Sequence, residues 1–201
     1  MSRADAQQLS LLGHDRPAFH LPFPPNARRE LGHGAWIDQV QSFLSGHETV
    51  FTTLRDDTRW HTHRRLMYDR MVEVPRLTAT LPRDGPGHPI IRDLAGALGK
   101  RYGVTFDTVS MALYRDGHDS VAWHRDKGRS GRWPYGVVAI VSVGAPRRFL
   151  LRPYGGGESV ALSAGWGDLL VMGGSCQLTW EHCVPKVNHA DSRLSVMFRH
   201  S

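Results

Sequence analysis

From Asp107 onward the sequence divides into short β-rich runs: DTVSMALY (107–114), GVVAIVSV (136–143), RRFLLRP (147–153), ESVALS (158–163), GDLLVMG (167–173), QLTWEHCV (177–184) and RLSVMFR (193–199). Turn clusters such as RDGHD, GAP, YGGGE and SAGWGD separate them. No helical stretch lies between these runs, so the crossovers of a doubly wound parallel sheet are missing. Strands this short and this evenly punctuated predict an antiparallel barrel or jelly roll. Helical periodicity is confined to the first half. IIRDLAGALGKRYG (90–103) predicts a helix stopped by Gly103. AWIDQVQSFL (35–44) places Trp36, Ile37, Val40, Phe43 and Leu44 on one helical stripe. Helices first and strands after predict an α+β, mainly β class.

A chain of 201 residues, 40% hydrophobic and 22% charged, suits one domain with an appended arm. Residues 1–49 read as that arm with a short helix, and 50–201 as the main domain. Two cysteines, Cys176 and Cys183, exclude a disulfide-stapled module. No apolar run approaches the roughly 20 residues of a bilayer span, and MSRADAQQLS lacks the apolar stretch of a secretory signal. The expectation is a cytoplasmic monomer with no membrane association.

Net charge is +6, from 25 basic and 19 acidic residues. Residues 1–50 carry −1, residues 51–83 carry +3 and residues 84–201 carry +4. A basic excess of this kind suits a polyanion, because each phosphate neutralised releases a counterion. A bias toward arginine, with only three lysines, explains the total equally well.

His124 and Asp126 stand at i and i+2 in WHRD, so on a strand both project to one side. His182, in TWEHCVP, is the candidate third partner. Two histidines and one carboxylate form the facial triad that suits non-haem Fe(II) and leaves coordination positions open. With 12 histidines in the chain an HxD pair alone says little, and His182 reads equally as a packed strand histidine. RLSVMFR places Arg193 and Arg199 on one side of a strand, with Leu194, Val196 and Phe198 on the other. Two inward guanidiniums require anions to offset their desolvation, and a dicarboxylate gripped bidentately meets that need. The alternative is an edge strand with both arginines in solvent. Asp168 reads as a turn-stabilising residue. Trp123, Trp180 and the two cysteines read as packing residues, the cysteines in preference to a zinc site.

The order HxD, distant His, RxxxxxR closely resembles the AlkB family of Fe(II)/2-oxoglutarate dioxygenases that repair alkylated nucleic acids. LYRDGHDSVAWHRD (113–126), VAIVSVGAPRRFLLR (138–152), GDLLVMGGSCQLTWEHCVPK (167–186) and RLSVMFR (193–199) carry the resemblance, over roughly residues 50–201. It implies a double-stranded β-helix, or jelly roll, with N-terminal helices packed on it. It also implies Fe(II) with 2-oxoglutarate and O2 as cosubstrates. His124, Asp126 and His182 match the iron ligands. Arg193, Arg199 and Tyr114 match residues that hold 2-oxoglutarate, with Ser195 beside them. The implied reaction is oxidative demethylation of N-alkylated bases, of the 1-methyladenine or 3-methylcytosine type, in DNA, releasing formaldehyde and succinate. Two positions depart from the family pattern: Ala112 and Ser195 stand where many members carry asparagine. Action on RNA, protein or a small molecule, or a non-catalytic binding module, are the competing functions.

A weaker match, MYDRMVEVPRLTA (67–79), resembles the family's substrate-side segment, placing substrate recognition at about 50–83. A base-modifying enzyme must extrude its target and hold it against an aromatic face. Trp60 and Tyr68 are the candidate stacking residues, and Arg64, Arg65, Arg70 and Arg76 the candidate phosphate contacts. An ordinary surface loop with Trp60 as its anchor is the alternative.

Overall fold

The β-rich runs pair into two sheets. A computed structural model describes residues 16–62, 64–67, 70–81, 88–126 and 136–200. Short strands β1 (Ala18–Phe19) and β4 (Leu44–Ser45) pair near the beginning, with β2 (Arg28–Gly32) and β3 (Ala35–Val40) between them. Helix α1 (His47–Asp57) follows, then the ribbon β5 (Arg64–Met67) and β6 (Arg70–Glu73), β7 (Leu77–Leu81) and helix α2 (Pro89–Tyr102). The remaining elements are β8 (Thr108–Tyr114), β9 (Val121–His124), β10 (Val138–Gly144), β11 (Arg147–Pro153), β12 (Val160–Ala164), β13 (Asp168–Gly174), α3 (Cys176–Thr179), β14 (Trp180–Val184) and β15 (Arg193–Arg199).

Seven strands form one sheet in the order β2-β3-β13-β10-β15-β8-β7, and four form the other, β12-β11-β14-β9. All their pairings are antiparallel. Strand alternation then sorts the side chains into two cores. Ala35, Ile37, Tyr114, Ile140, Phe149, Leu151, Leu170, Met172 and Trp180 fill the space between the sheets. Val141, Leu169, Leu194, Val196 and Phe198 face the other way and pack with Val50 and Leu54 of α1 and Leu94 and Leu98 of α2. This is the jelly roll with helices on its large sheet that the motif order implies. Gly103 caps α2 with φ 67°, a left-handed conformation that glycine adopts without a Cβ penalty.

The helix expected at 35–44 is instead strand β3, a turn and the first residue of β4. β3 lies between β2 and β13, with Ala35 and Ile37 turned between the sheets and Val40 toward the helices. Both faces are covered, so its apolar residues do not alternate, and a short run of that kind satisfies helical and extended periods alike. The N-terminal helix is α1 instead, where Val50 and Leu54, four residues apart, are buried on the large sheet. The expected division at 49/50 falls inside α1, and β2 and β3 are strands of the large sheet itself. In the run 177–184 the first residues belong to the single turn α3, and extended backbone starts at Trp180. No helix among the described residues is long and apolar enough to cross a membrane.

Candidate metal and cosubstrate pocket

His124 ends β9 and lies in register with His182 on β14, so both imidazoles project into the same space. Their ring centres are 4.2 Å apart. Asp126 follows two residues after His124, its backbone N–H held by the Gln177 side chain at 2.9 Å. One donor atom from each of His124, Asp126 and His182 lies within 4.8 Å of the other two, and this is the cluster of metal-binding character among the described residues. His124 Nδ1 sits 2.9 Å from the Ala122 carbonyl, which can only accept, so Nδ1 carries the proton and Nε2 presents its lone pair. Nε2 is 3.9 Å from Asp126 Oδ1. The His182 ring is stacked on Phe149, with centres 5.2 Å apart and planes 18° from parallel.

The protonation states suit a cation. Burial pushes the His182 imidazolium down to about 4, leaving a neutral ring. At Asp126 burial opposes ionisation, but the Arg199 guanidinium beside it outweighs burial and holds the carboxyl below its ordinary range. Arg199 Nη2 donates to both Asp126 oxygens at 3.1 Å, and Nη1 to Ser110 Oγ at 2.6 Å.

Arg193, at the other end of β15, is 1% exposed. Its Nη2 donates to Ser142 Oγ at 2.7 Å. Its Nε and Nη1 are buried with no hydrogen-bond partner. Tyr114 lies in register opposite, its ring centre 5.4 Å from the guanidinium carbon. A buried cation with unused donors is costly unless an anion completes it. The donor set therefore fits a carboxylate entering beside Tyr114, with the triad available to a divalent metal. Ser195 pairs with Ala112 on one side and with Ser142 on the other. The two departures from the family pattern thus face each other in a row of small residues across the pocket floor.

Ser142, Ser110, Phe149 and Gln177 support this site and were not singled out by sequence. Ser142 had a signal, since it is the polar residue in an otherwise apolar buried strand, whereas Ser110 sits in the half-buried start of β8 two residues after Thr108. Arg147, 3% exposed, was missed as well; it donates to the carbonyls of Asp116, Asp119 and Pro185 and so ties the segment leading into β9 to the one leaving β14. Asp168 accepts from the backbone of Ser42 and Gly165, a turn role as expected. Both cysteines are free and buried, and burial pushes their thiols up to about 12 and about 11, which disfavours thiolate ligands. Trp180 is a core residue, whereas Trp123 lies on the outer face of the small sheet beneath Arg152.

The substrate-side residues are less convergent. Trp60 donates its indole N–H to the Arg55 carbonyl at 2.9 Å and packs against the helix-side core, the contacts of an anchor. Arg76 donates to the Ser120 carbonyl at 3.3 Å, close to the start of β9. Arg64, Arg65 and Arg70 lie in the β5–β6 ribbon, with Arg64 paired to Glu73, Arg65 to Val72 and Arg70 to Met67. Tyr68 lies outside the described residues.

Comparison with known proteins agrees with this geometry. Residues 39–200 match the model of the 2OG-Fe(II) oxygenase superfamily. The human alpha-ketoglutarate-dependent dioxygenase alkB homolog 3 is 32% identical over 173 residues, covering 75% of this chain and 60% of the relative. The Arabidopsis thaliana DNA oxidative demethylase ALKBH2 is 26% identical over 88% of this chain and 69% of its own length. A solved structure described as "The structure of OsALKBH1" superposes with a TM-score of 0.60 at 15% identity, covering 87% of this chain and 100% of that one. A Trichoplax adhaerens prolyl hydroxylase superposes with a TM-score of 0.62 at 12% identity over 82% of each chain, a likeness of fold alone. The chain belongs to the 2OG-Fe(II) oxygenase superfamily, and within it to the AlkB-like dioxygenases. Enzymes of this family use Fe(II), 2-oxoglutarate and O2. The chain spans about 60% of the length of the curated mammalian relatives it matches.

Proposed function

We propose that this chain oxidatively removes methyl groups from N-alkylated bases of nucleic acid, of the 1-methyladenine and 3-methylcytosine type in DNA. The observation that supports the reading is a His-Asp-His cluster held by Arg199, with a buried arginine with unused donors on the same side of the same strand. The names of the relatives, a DNA oxidative demethylase among them, support the substrate class.

His124, Asp126 and His182 would hold Fe(II), and Arg193 with Tyr114 would receive the distal carboxylate of 2-oxoglutarate. When bound, iron, 2-oxoglutarate and O2 together supply the oxidising power to insert oxygen into an N-methyl C–H bond. The resulting N-hydroxymethyl group loses formaldehyde and returns the base, while 2-oxoglutarate leaves as succinate and CO2. The chain's own part is orientation. Arg199 fixes the Asp126 carboxylate, the Ala122 carbonyl fixes the His124 tautomer, and Phe149 fixes the His182 ring plane. Ile140, Leu151 and Met172 belong to the apolar core between the sheets, which would limit water around the reacting centre. The segment 59–76 would lead the strand to the pocket, with Arg64, Arg65, Arg70 and Arg76 toward phosphates and Tyr68 toward the extruded base.

Anaerobic titration with Fe(II) and 2-oxoglutarate, followed by turnover on methylated oligonucleotides, tests the reading. Formaldehyde and succinate should appear in equal amounts with a 1-methyladenine or 3-methylcytosine strand. Succinate without formaldehyde across DNA and RNA panels would transfer the activity to a protein or small-molecule substrate.

A further inference from the structure

The outer face of the small sheet carries a pair of features that the pocket does not use. β9 and β11 both flank β14, so their outward side chains can meet across it. They meet twice. Over Glu181, the Arg152 guanidinium lies 4.0 Å above the centre of the Trp123 ring, its Nε donating to Glu181 Oε1 at 2.7 Å. Beyond the strand ends, beside α3, the Arg125 guanidinium lies 3.6 Å above the Tyr154 ring, its Nη1 donating to the Leu178 carbonyl at 3.0 Å.

The two rungs differ in what they leave open. Glu181 neutralises Arg152, and that rung is complete. Arg125 has no acidic partner among the described residues. Tyr154 is 58% exposed and Leu178 39%, so with one ring face beneath the guanidinium the rest of the tyrosine stands in solvent. Position matters as much as composition. Arg125 is the residue between His124 and Asp126, and it turns to Tyr154 and Leu178 rather than joining the triad. Gln177 of α3 holds the Asp126 backbone, so Leu178 and Tyr154 lie against the rim of the same pocket.

A stacked aromatic beside an uncompensated arginine is the combination that grips single-stranded nucleic acid, with a base on the ring and a phosphate at the guanidinium. A nucleotide swung into the pocket leaves its neighbour just outside the rim. We propose that Tyr154 and Arg125 hold that neighbouring nucleotide, Tyr154 stacking its base and Arg125 contacting its phosphate. This rests on the nucleic-acid reading above and adds to it a second surface, whose residues lie within the span of the triad in sequence and apart from the 59–76 segment.

The test uses the full chain loaded anaerobically with Fe(II) and 2-oxoglutarate, and a fluorescent single-stranded DNA carrying one 1-methyladenine. Tyr154→Ala should weaken binding about tenfold, while Tyr154→Phe, which keeps the ring, should stay within about twofold. Arg125→Ala should lower the slope of log Kd against log salt by about one contact. Arg152→Ala, on the completed rung, should leave that slope unchanged. An abasic site next to the methylated base should weaken wild type as much as Tyr154→Ala does, and should have no further effect in that variant. Succinate formation without oligonucleotide should be equal in wild type and Tyr154→Ala, which verifies an intact pocket. Equal affinities of wild type and Tyr154→Ala for intact and abasic strands would overturn the proposal and leave the nucleic-acid reading standing. Failure of the wild type to bind the strand at all would overturn both.

Discussion

Two polar clusters in this molecule each set an arginine beside a tyrosine, and they end differently. Beside α2, Asp38 is 3% exposed and accepts from Arg28 Nε at 2.7 Å, Arg28 Nη2 at 2.9 Å and the Tyr102 hydroxyl at 2.8 Å. Arg28 also lies 3.7 Å over the Trp36 ring, which stacks on Tyr102 with centres 5.8 Å apart. Burial and Asp38 push the Tyr102 hydroxyl well above its ordinary range, so it remains a donor. That network is closed on itself. Between the sheets, Arg193 meets Ser142 and Tyr114 and still has two nitrogens without acceptors. A closed polar network joins elements, whereas an open one waits for a ligand.

The comparison breaks first at Arg193. Arg193→Met should lower 2-oxoglutarate affinity by about 2–5 kcal/mol, the loss on removing the partner of a desolvated charge. The same substitution should leave the melting temperature without ligand unchanged or higher, because it removes an incompletely partnered buried cation. Calorimetric titration and thermal unfolding read the two effects separately, and unchanged affinity would take Arg193 out of the site. Asp38→Ala should do the reverse. It orphans the Tyr102 hydroxyl and should destabilise the fold by about 1–3 kcal/mol, with 2-oxoglutarate affinity intact in the folded fraction.

Smaller effects sharpen the contrast. Ser142→Ala removes the one acceptor that holds Arg193 Nη2 and should weaken 2-oxoglutarate by about 1 kcal/mol, seen in KM for the cosubstrate rather than in stability. His47 then tests whether an unpartnered buried atom is enough to mark a site, since its Nδ1 is also buried without a partner. Burial lowers its pKa, with Glu48 and Asp168 opposing. The folded state therefore binds fewer protons than the unfolded one. Any stability linked to His47 is present above the ordinary histidine value and is lost as pH falls through its lowered one. His47→Gln should flatten that acid limb of a pH–melting profile slightly and leave 2-oxoglutarate binding alone.

Much of the pocket was legible because strand geometry makes parity readable. Arg193 and Arg199 at even separation face one side, and Leu194, Val196 and Phe198 fill the helix-side core opposite them, as the run RLSVMFR implies. The same reasoning failed for 35–44, where burial on both faces erased the alternation, and for α1, whose threonines and charges gave little helical signal. Trp60 illustrates a third limit. An aromatic among arginines reads equally as a stacking platform or an anchor, and only the fold shows its N–H bound to the Arg55 carbonyl and its ring packed in part against the core.

Sequence by itself determined the succession of strands, the inward parity of the triad and arginine pair, and the resemblance that groups them, because these depend on local spacing and residue chemistry. Only the tertiary structure decided which polar groups are completed and which are left open. His182 comes into register with His124 through β14 and β9, and Ser142 reaches Arg193 from another strand. Arg125 finds Tyr154 across a third. Partners so distant in the chain are chosen by the order of strands in a sheet, which no local pattern encodes.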